Sequence, residues 1–135
     1  MSKHETGAFI LRVILGVIFF VHGLDKFQAG IGNTVGFFDS MGIPGFLAYF
    51  VATIELVGGI AMILGIGTKV VAYLFSIIML GAIFTVKLSA GFLDGYEFDL
   101  ALLGMSIYVA LSNNTALSLD KAMFSSNQDS NEKAS

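Results

Sequence analysis

The sequence predicts an all-α integral membrane protein, a four-helix transmembrane bundle with a short interfacial helix between the first and second spans. Of the 135 residues, 56% are hydrophobic and 13% are charged, whereas soluble domains contain about 45 to 50% apolar and about 25% charged residues. A transmembrane helix needs about 20 mostly apolar residues, so a chain of this length holds about four spans joined by short loops.

The composition also excludes several functions. The net charge is -3 and the few Lys and Arg residues are scattered, so no basic stripe is available to bind nucleic acid. The chain has no cysteine, which excludes disulfides, thiol redox catalysis and thiolate metal sites within it. The first apolar run, from Ala8 to Val21, lacks an Ala-x-Ala-like cleavage site, so we expect a retained span. Because the chain has no cysteine thiol, any redox chemistry must come from a ligand or a partner.

Four apolar stretches supply the predicted spans, at about residues 7–24, 46–66, 69–88 and 96–111. The second span begins after a break that contains Pro44, the only proline. The turn between the second and third spans is as short as Gly67-Thr68, so these two helices must be antiparallel neighbours. Residues 1–124 are therefore expected to form a single transmembrane domain.

Two further segments lie outside the spans. Residues 30–41 mix large apolar side chains, such as Phe37 and Phe38, with polar ones, such as Asn33. This pattern suits an amphipathic helix in the membrane interface, with a plain surface loop as the alternative. Residues 125–135 are polar and lack large apolar side chains, so we expect a disordered tail.

The distribution of Lys and Arg predicts that both termini are cytoplasmic, because cytoplasmic segments carry the excess of these residues. The side of the membrane that holds both termini and the second loop has Lys3, Arg12, Lys69, Lys121 and Lys133. The opposite side has Lys26 and Lys87. We therefore expect a multi-pass protein of the cell membrane, with its N- and C-termini inside.

Ionisable residues inside the spans are the strongest indication of a site. Each costs about 2.5 to 3.5 kcal/mol at the centre of a bilayer and therefore needs a partner or a wet cavity. Arg12, His22 and Lys26 lie within an arc of roughly 80° on the first helix, at about 100° per residue. Glu55 lies about halfway along the second span, and we expect it to pair with Arg12, whose long side chain can point inward. The alternative is a protonated, uncharged Glu55, because low-dielectric surroundings penalise an isolated charge.

Five ionisable residues from three helices converge on one level towards the outer side of the predicted bundle: His22, Lys26, Lys87, Glu97 and Asp99. Their joint placement predicts a polar cavity. Structural roles are the alternatives, namely lysines that extend to the headgroups and acidic residues that cap the fourth helix. A hydrogen-bonded structural histidine, and a pair of Arg12 and Glu55 that only holds helices together, are further alternatives.

A lipophilic quinone or phenol suits such a cavity, because a flat apolar ring enters from lipid and its oxygens need donors such as His, Lys or Tyr. The candidate catalytic residues are His22, Lys87 and Glu97, and the candidate ring-binding residues are Lys26, Phe19, Phe84 and Tyr96. The two lysines would favour an ionised phenolate, and His22 would exchange its proton near neutral pH.

Other resident cofactors are not expected. A haem between two histidines is excluded within the chain, since His22 is the only histidine in a span and His4 lies in the N-terminal tail. A metal site of the usual kind would have one imidazole, with Glu97 and Asp99 as the further ligands, so no metal is expected. Flavin or nicotinamide would need another subunit, because no glycine-rich phosphate loop follows a strand.

A series of short motifs runs through residues 11–124: Arg12 with Gly16, Val21-His22-Gly23-Leu24-Asp25-Lys26-Phe27, Gly36-Phe37-Phe38, Gly42-Ile43-Pro44, Glu55-Leu56-Val57-Gly58-Gly59, Leu64-Gly65-Ile66-Gly67-Thr68-Lys69 and Gly95-Tyr96-Glu97-Phe98-Asp99-Leu100. In this order and at this spacing, the motifs resemble those of the DoxX family of small bacterial membrane proteins. Residues 84–92 are similar to a branch of that family linked to tolerance of catechol and quinones.

The resemblance implies a four-helix bundle whose relatives are described as oxidoreductases associated with quinones, oxidative stress or thiol stress. The family's polar positions map onto Arg12, His22, Lys26, Glu55, Lys87 and Glu97. Two functions are then open. The first is a membrane component of catechol or quinone detoxification that works with a soluble or membrane redox partner. The second is a non-enzymatic scaffold or small transporter whose buried polar residues are structural.

Overall fold

Helices make up the regular structure of the part of the chain that the computed structural model describes, which is residues 2–87 and 91–112, without the side chains of residues 86, 87 and 94. The five α-helices are α1 (Lys3–Gln28), α2 (Ile31–Ser40), α3 (Leu47–Leu64), α4 (Thr68–Ala82) and α5 (Glu97–Leu111). A π-helical turn at Ile83–Lys87 continues α4, and a second one at Phe92–Tyr96 leads into α5.

The four predicted spans fall on α1, α3, α4 and α5, which confirms the all-α fold class. Three helical stretches among the described residues are long and apolar enough to cross a membrane: Lys3–Gln28, Leu47–Leu64 and Thr68–Thr85. Helix α5 has 15 residues, so the fourth crossing stays a prediction. The predicted segment at residues 30–41 is helical as α2, and its position in the interface also stays a prediction. The tail at residues 125–135 lies outside the described residues.

Capping residues and glycines mark the ends of the helices. The Ser2 hydroxyl accepts a hydrogen bond from the backbone N–H of Glu5 at 3.1 Å and so caps the start of α1. At the C-terminal end of α3, Gly65 adopts a left-handed conformation with φ of 76°, and Gly67 follows with φ of 55°. These glycines make the tight turn between α3 and α4 that the sequence predicts.

Helices α1 and α3 pack closely in antiparallel directions. A Cβ atom on Gly23 would lie 2.5 Å from the backbone nitrogen of Leu56, and one on Gly16 would lie 2.8 Å from the carbonyl oxygen of Gly59. Only hydrogen fits at these positions, so the two backbones touch. This contact fixes the relative heights of the side chains that α1 and α3 contribute to the site.

The apolar core joins α1, α3, α4 and α5 below the site. Phe19 and Phe75 stack with their ring centroids 3.7 Å apart and an interplanar angle of 13°. Phe75 also packs against Gly58, where a Cβ would lie 2.8 Å from a ring carbon. We call the end of the bundle that carries α2 the α2 end, and the end with the start of α1 and the α3–α4 turn the N-terminal end.

Candidate ligand-binding site

A cavity of about 770 Å³ opens between the helices, on the α2 side of the Phe19–Phe75 stack. All five helices contribute to it. Its apolar wall includes Ile18, Phe19, Phe37, Phe38, Ile43, Leu47, Phe50, Val51, Ile54, Ile77, Ile78, Met79, Phe98 and Leu102. Its polar side chains are His22, Lys26, Asn33, Thr34, Glu55, Thr85 and Asp99. A mostly apolar enclosure with a few polar groups is typical of small-molecule sites.

An ion pair between Lys26 and Glu55 lies in the wall of this cavity. The Lys26 ammonium donates to both carboxylate oxygens of Glu55, at 2.8 and 2.9 Å. The Glu55 side chain is 4% exposed and the Lys26 side chain is 25% exposed. Glu55 therefore has a charge-assisted, two-point partner at a depth where a bare carboxylate would be costly.

This pair corrects the prediction that Arg12 is the partner of Glu55. Gly23 packs against Ala52 and Leu56, which flank Glu55 on α3, so Glu55 is level with Gly23 on α1. Lys26 is three residues from Gly23, about 4.5 Å along the axis, whereas Arg12 is eleven residues away, about 16 Å. An extended arginine cannot cover the second distance, because the glycine contacts hold both helices at this register.

Arg12 occupies a separate position towards the N-terminal end. Arg12 is 4% exposed, and its guanidinium carbon lies 5.2 Å from the centroid of the Phe9 ring. This cation–π geometry stabilises a buried positive charge on α1. Arg12 is not among the described side chains that line the cavity.

His22 presents one defined ring nitrogen to its surroundings. Its Nδ1 lies 2.8 Å from the carbonyl oxygen of Ile18 on the preceding turn. A carbonyl oxygen only accepts, so Nδ1 carries a proton and donates it, which leaves Nε2 as the nitrogen that can gain or lose one. The ring stacks on Phe98 with centroids 5.7 Å apart and an interplanar angle of 26°. Phe98 therefore orients the imidazole at the edge of the cavity.

Asp99 is the second buried carboxylate that lines the cavity, and its residue is 8% exposed. It lies in the first turn of α5, where an acidic side chain favours the positive end of the helix dipole. Lys26, His22 and Asp99 all interact electrostatically with Glu55. The ionisable groups of the cavity thus form one cluster, which we call the polar cluster: His22, Lys26, Glu55 and Asp99.

The structure brings some of the predicted site residues together and leaves others apart. His22, Lys26 and Phe19 line the cavity, and Phe19 also stacks on Phe75 in the core. Phe84 is 69% exposed and is not among the described residues that line the cavity. The side chain of Lys87 lies outside the part of the chain that the structure describes.

Tyr96 and Glu97 also lie apart from the described lining. Tyr96 packs against the core and meets the Phe92 ring edge to face, with centroids 5.3 Å apart. Depth in the membrane, by which the sequence predicts Phe84 and Tyr96 at the site, does not fix the direction in which a side chain points. Both residues lie in π-helical turns, where the rotation per residue also differs from that of an α-helix.

Sequence reasoning missed the aromatic wall of the cavity. Asn33, Thr34, Phe37 and Phe38 on α2 line it together. Their spacing of one and four residues along α2 puts them on one face of the helix, and that spacing was the available signal. Phe98 at the start of α5 was missed as well, although it adjoins Asp99, which the sequence predicts in the polar cavity.

No group of three or more His, Asp or Glu side chains within residues 2–87 and 91–112 is placed to hold a metal ion. The chemistry available to the described polar cluster is hydrogen bonding, charge stabilisation and proton exchange. It acts next to aromatic rings that can stack on a flat ligand.

Comparison with known proteins places the chain among small membrane proteins. The DoxX family model matches residues 7–88. "Putative oxidoreductase CatD" of Bacillus subtilis (strain 168) is 48% identical over 133 residues, which cover 98% of this chain and 98% of that protein. "Uncharacterized membrane protein Rv3486" of Mycobacterium tuberculosis is 32% identical, over 84% of this chain and 78% of that protein. "Inner membrane protein YqjF" of Escherichia coli (strain K12) is 32% identical, over 53% of this chain and 55% of that protein.

No solved structure matches this chain. The family match, the near full-length similarity to the Bacillus protein and the three apolar helices agree with one another. They confirm the family resemblance of the sequence motifs and establish a multi-pass membrane protein. The chain therefore belongs to the DoxX family.

Proposed function

We propose that this protein binds a catechol- or quinone-type ring in the cavity and takes part in the redox detoxification of such compounds in the membrane. The observation that carries the proposal is the composition of the cavity, an apolar and aromatic wall with the polar cluster on one side. A flat ring with two oxygens requires this combination, because its faces need apolar contacts and its oxygens need donors and acceptors.

The polar cluster offers a role for each group. Lys26 is the more exposed member of its pair with Glu55. Two of its three N–H donors serve the carboxylate, so the third can donate to a ring oxygen and stabilise a phenolate. His22 presents Nε2, which accepts a proton from a phenol or, once protonated, donates one to a quinone oxygen. Phe98, already parallel to the imidazole, provides a surface for stacking the ring.

The reaction that fits these groups is the two-electron reduction of a quinone to a catechol. The quinone takes up two electrons and two protons, its two carbonyl oxygens become hydroxyls, and the ring becomes aromatic. A redox partner protein supplies the electrons. In this proposal His22 delivers the two protons one after the other, water at the membrane surface reprotonates it each time, and the Lys26 ammonium stabilises the phenolate formed in between.

The proposal includes a topology of four membrane crossings with both termini in the cytoplasm. The second π-helical turn, of 5 residues, continues directly into the 15 residues of α5, and together they reach the length of about 20 residues that a span requires. Four crossings bring both termini to one side, and the excess of lysine there favours the cytoplasm. The polar cluster then lies in the outer half of the membrane, with α2 in the interface above it.

Direct titration tests the binding step. Purified protein in lipid nanodiscs is titrated by calorimetry with catechol and with tetramethyl-1,4-benzoquinone, whose fully substituted ring does not alkylate lysine. We expect saturable binding, and about tenfold weaker binding in His22→Phe because one hydrogen bond to a charged or polar ring oxygen is lost. Phe98→Ala should weaken binding similarly, while the matched change Phe84→Ala should leave it unchanged because Phe84 is not among the described residues that line the cavity.

A second candidate function follows from the bidentate contact of Lys26 with Glu55, which by itself would stabilise the α1–α3 contact. In that case the protein is a scaffold or a small transporter and the pair is structural. Absence of saturable binding at high micromolar catechol and quinone, in protein that is fully folded, would favour this second function and overturn the first.

A further inference from the structure

We infer that the ligand is a ring that carries a hydrocarbon tail, and that the tail leaves the cavity sideways between α3 and α4 into the lipid. This inference rests on the proposed function and adds the class of ligand and its route of entry. It is carried by the size of the cavity and by the way in which α3 and α4 separate.

The cavity is too large for a ring alone. A cavity of about 150 Å³ is enough to bind benzene, whereas this one measures about 770 Å³. A single ring with two oxygens, held at the polar cluster, would therefore leave most of the apolar wall without a partner. Empty apolar space costs packing energy, so a ligand that fills it is favoured over one that does not.

Helices α3 and α4 touch at one level and separate beyond it. Gly58 is in close contact with Phe75 and Val71. One turn further towards the α2 end, Ile54 on α3 and Ile77 on α4 both line the cavity. The space between the two helices at that level is therefore part of the cavity.

This space opens on the outer surface of the bundle. Phe50 and Ile77 line the cavity and yet are 60% and 66% exposed, so they form the two edges of an opening. Both lie within helical stretches that are apolar enough to cross a membrane. An opening at that depth faces acyl chains and not water.

The end of the cavity is covered. Helix α2 lays Thr34, Phe37 and Phe38 over it, so a ligand that leaves towards the α2 end has to pass an aromatic face. The polar cluster lies on the α1, α3 and α5 side, away from the α4 edge that Ile77 forms. A head group at the cluster and a tail between Phe50 and Ile77 therefore fill the cavity from one side to the other.

A pair of glycine variants tests the inference. Gly81 on α4 lines the cavity six residues beyond Phe75, and a Cβ built on it meets no atom within 4 Å. Gly104 on α5 has the same free space but does not line the cavity among the described residues. Gly81→Leu should fill the path of the tail, while Gly104→Leu is the matched control with the same gain in helix propensity.

The ligands share one ring and differ in the tail. Tetramethyl-1,4-benzoquinone and its analogue with one methyl replaced by a decyl chain are titrated into nanodiscs, and affinities are expressed per mole fraction in the bilayer, so that partitioning is removed. Gly81→Leu should weaken binding of the decyl compound about tenfold, since overfilling a packed site costs roughly 1 to 3 kcal/mol. Binding of the tetramethyl compound should change less than about twofold, and Gly104→Leu should change neither.

Each other outcome has a defined meaning. Equal binding of the decyl compound to wild type and Gly81→Leu overturns the tail route and leaves the proposed function standing, as does equal weakening of both compounds. Failure of both compounds to bind wild-type protein overturns the proposed function itself. Phospholipid that copurifies with wild type and is lost in Gly81→Leu, with decyl affinity unchanged, would assign the gap to a lipid acyl chain and overturn the inference.

Discussion

Replacement of Lys26 by methionine is the most informative perturbation of the site, because it leaves the Glu55 carboxylate buried without its ammonium partner. Removing one member of a buried ion pair costs about 3 to 5 kcal/mol. The Lys26 side chain is 25% exposed and Glu55 is 4% exposed, so we take the lower end, about 3 kcal/mol, for Lys26→Met. For a chain of this size that corresponds to a fall in Tm of about 10 °C.

The same burial predicts an asymmetry between the two single variants. Glu55→Gln leaves behind a lysine that can reach the headgroups, so we expect a loss of about 1 kcal/mol, less than for Lys26→Met. The double variant should be close to Glu55→Gln alone, because no charge is then left stranded. The coupling energy between the two positions should therefore be about 3 kcal/mol, the whole cost of Lys26→Met alone.

Thermal unfolding in detergent, followed by circular dichroism at 222 nm, measures these differences. Lys3→Met is the matched control, since Lys3 is exposed at the start of α1, and its Tm should equal that of wild type. A second cycle pairs Arg12→Met with Glu55→Gln and should be additive. Coupling in the Arg12 cycle, together with additivity in the Lys26 cycle, would refute the register of α1 against α3 on which the reasoning depends.

Three further predictions follow from the same structure. Gly23→Leu should lower the Tm by more than 10 °C, or prevent folding, because its side chain would enter the α3 backbone, at a cost of about 3 kcal/mol or more; Gly104→Leu should not, and equal effects would contradict the glycine contact. Since the chain has no cysteine, single-cysteine labelling in whole cells should modify Asn33→Cys from outside and Lys69→Cys only after permeabilisation, and the reverse pattern would contradict the topology. His22→Phe should abolish protection of cells against catechol while its Tm stays within a few degrees of wild type, and loss of protection that follows loss of folded protein would return His22 to a structural role.

Much of the fold was predictable because membrane helices are a local property. A run of apolar residues long enough to cross the bilayer must form a helix there, since lipid offers no partner for its backbone groups. The break before the second span and the turn at Gly67 were equally readable, and Gly42 and Gly67 adopt positive φ angles in the structure. The presence of a polar site at the level of His22 and Lys26 was also predictable, because charged side chains inside membrane spans need polar partners or a water-filled cavity.

The partners within the site depended on contacts between helices that are distant in sequence. Arg12 and Lys26 lie on similar faces of α1, and composition alone does not say which is level with Glu55. The answer comes from Gly23 and Gly16, which let α1 and α3 touch at one register, and a shift of a few residues would exchange the partners. In the same way, depth alone does not say which face of a helix Phe84 and Tyr96 occupy, and the packing of α2 against the bundle brings Phe37 and Phe38 to the cavity. The sequence by itself determined the helices and their approximate depth, because hydrophobic length sets where each helix lies along the membrane normal. Only the tertiary structure decided which side chains meet, because close packing at glycines depends on distances of about an ångström, and the periodicity of a sequence does not resolve such distances.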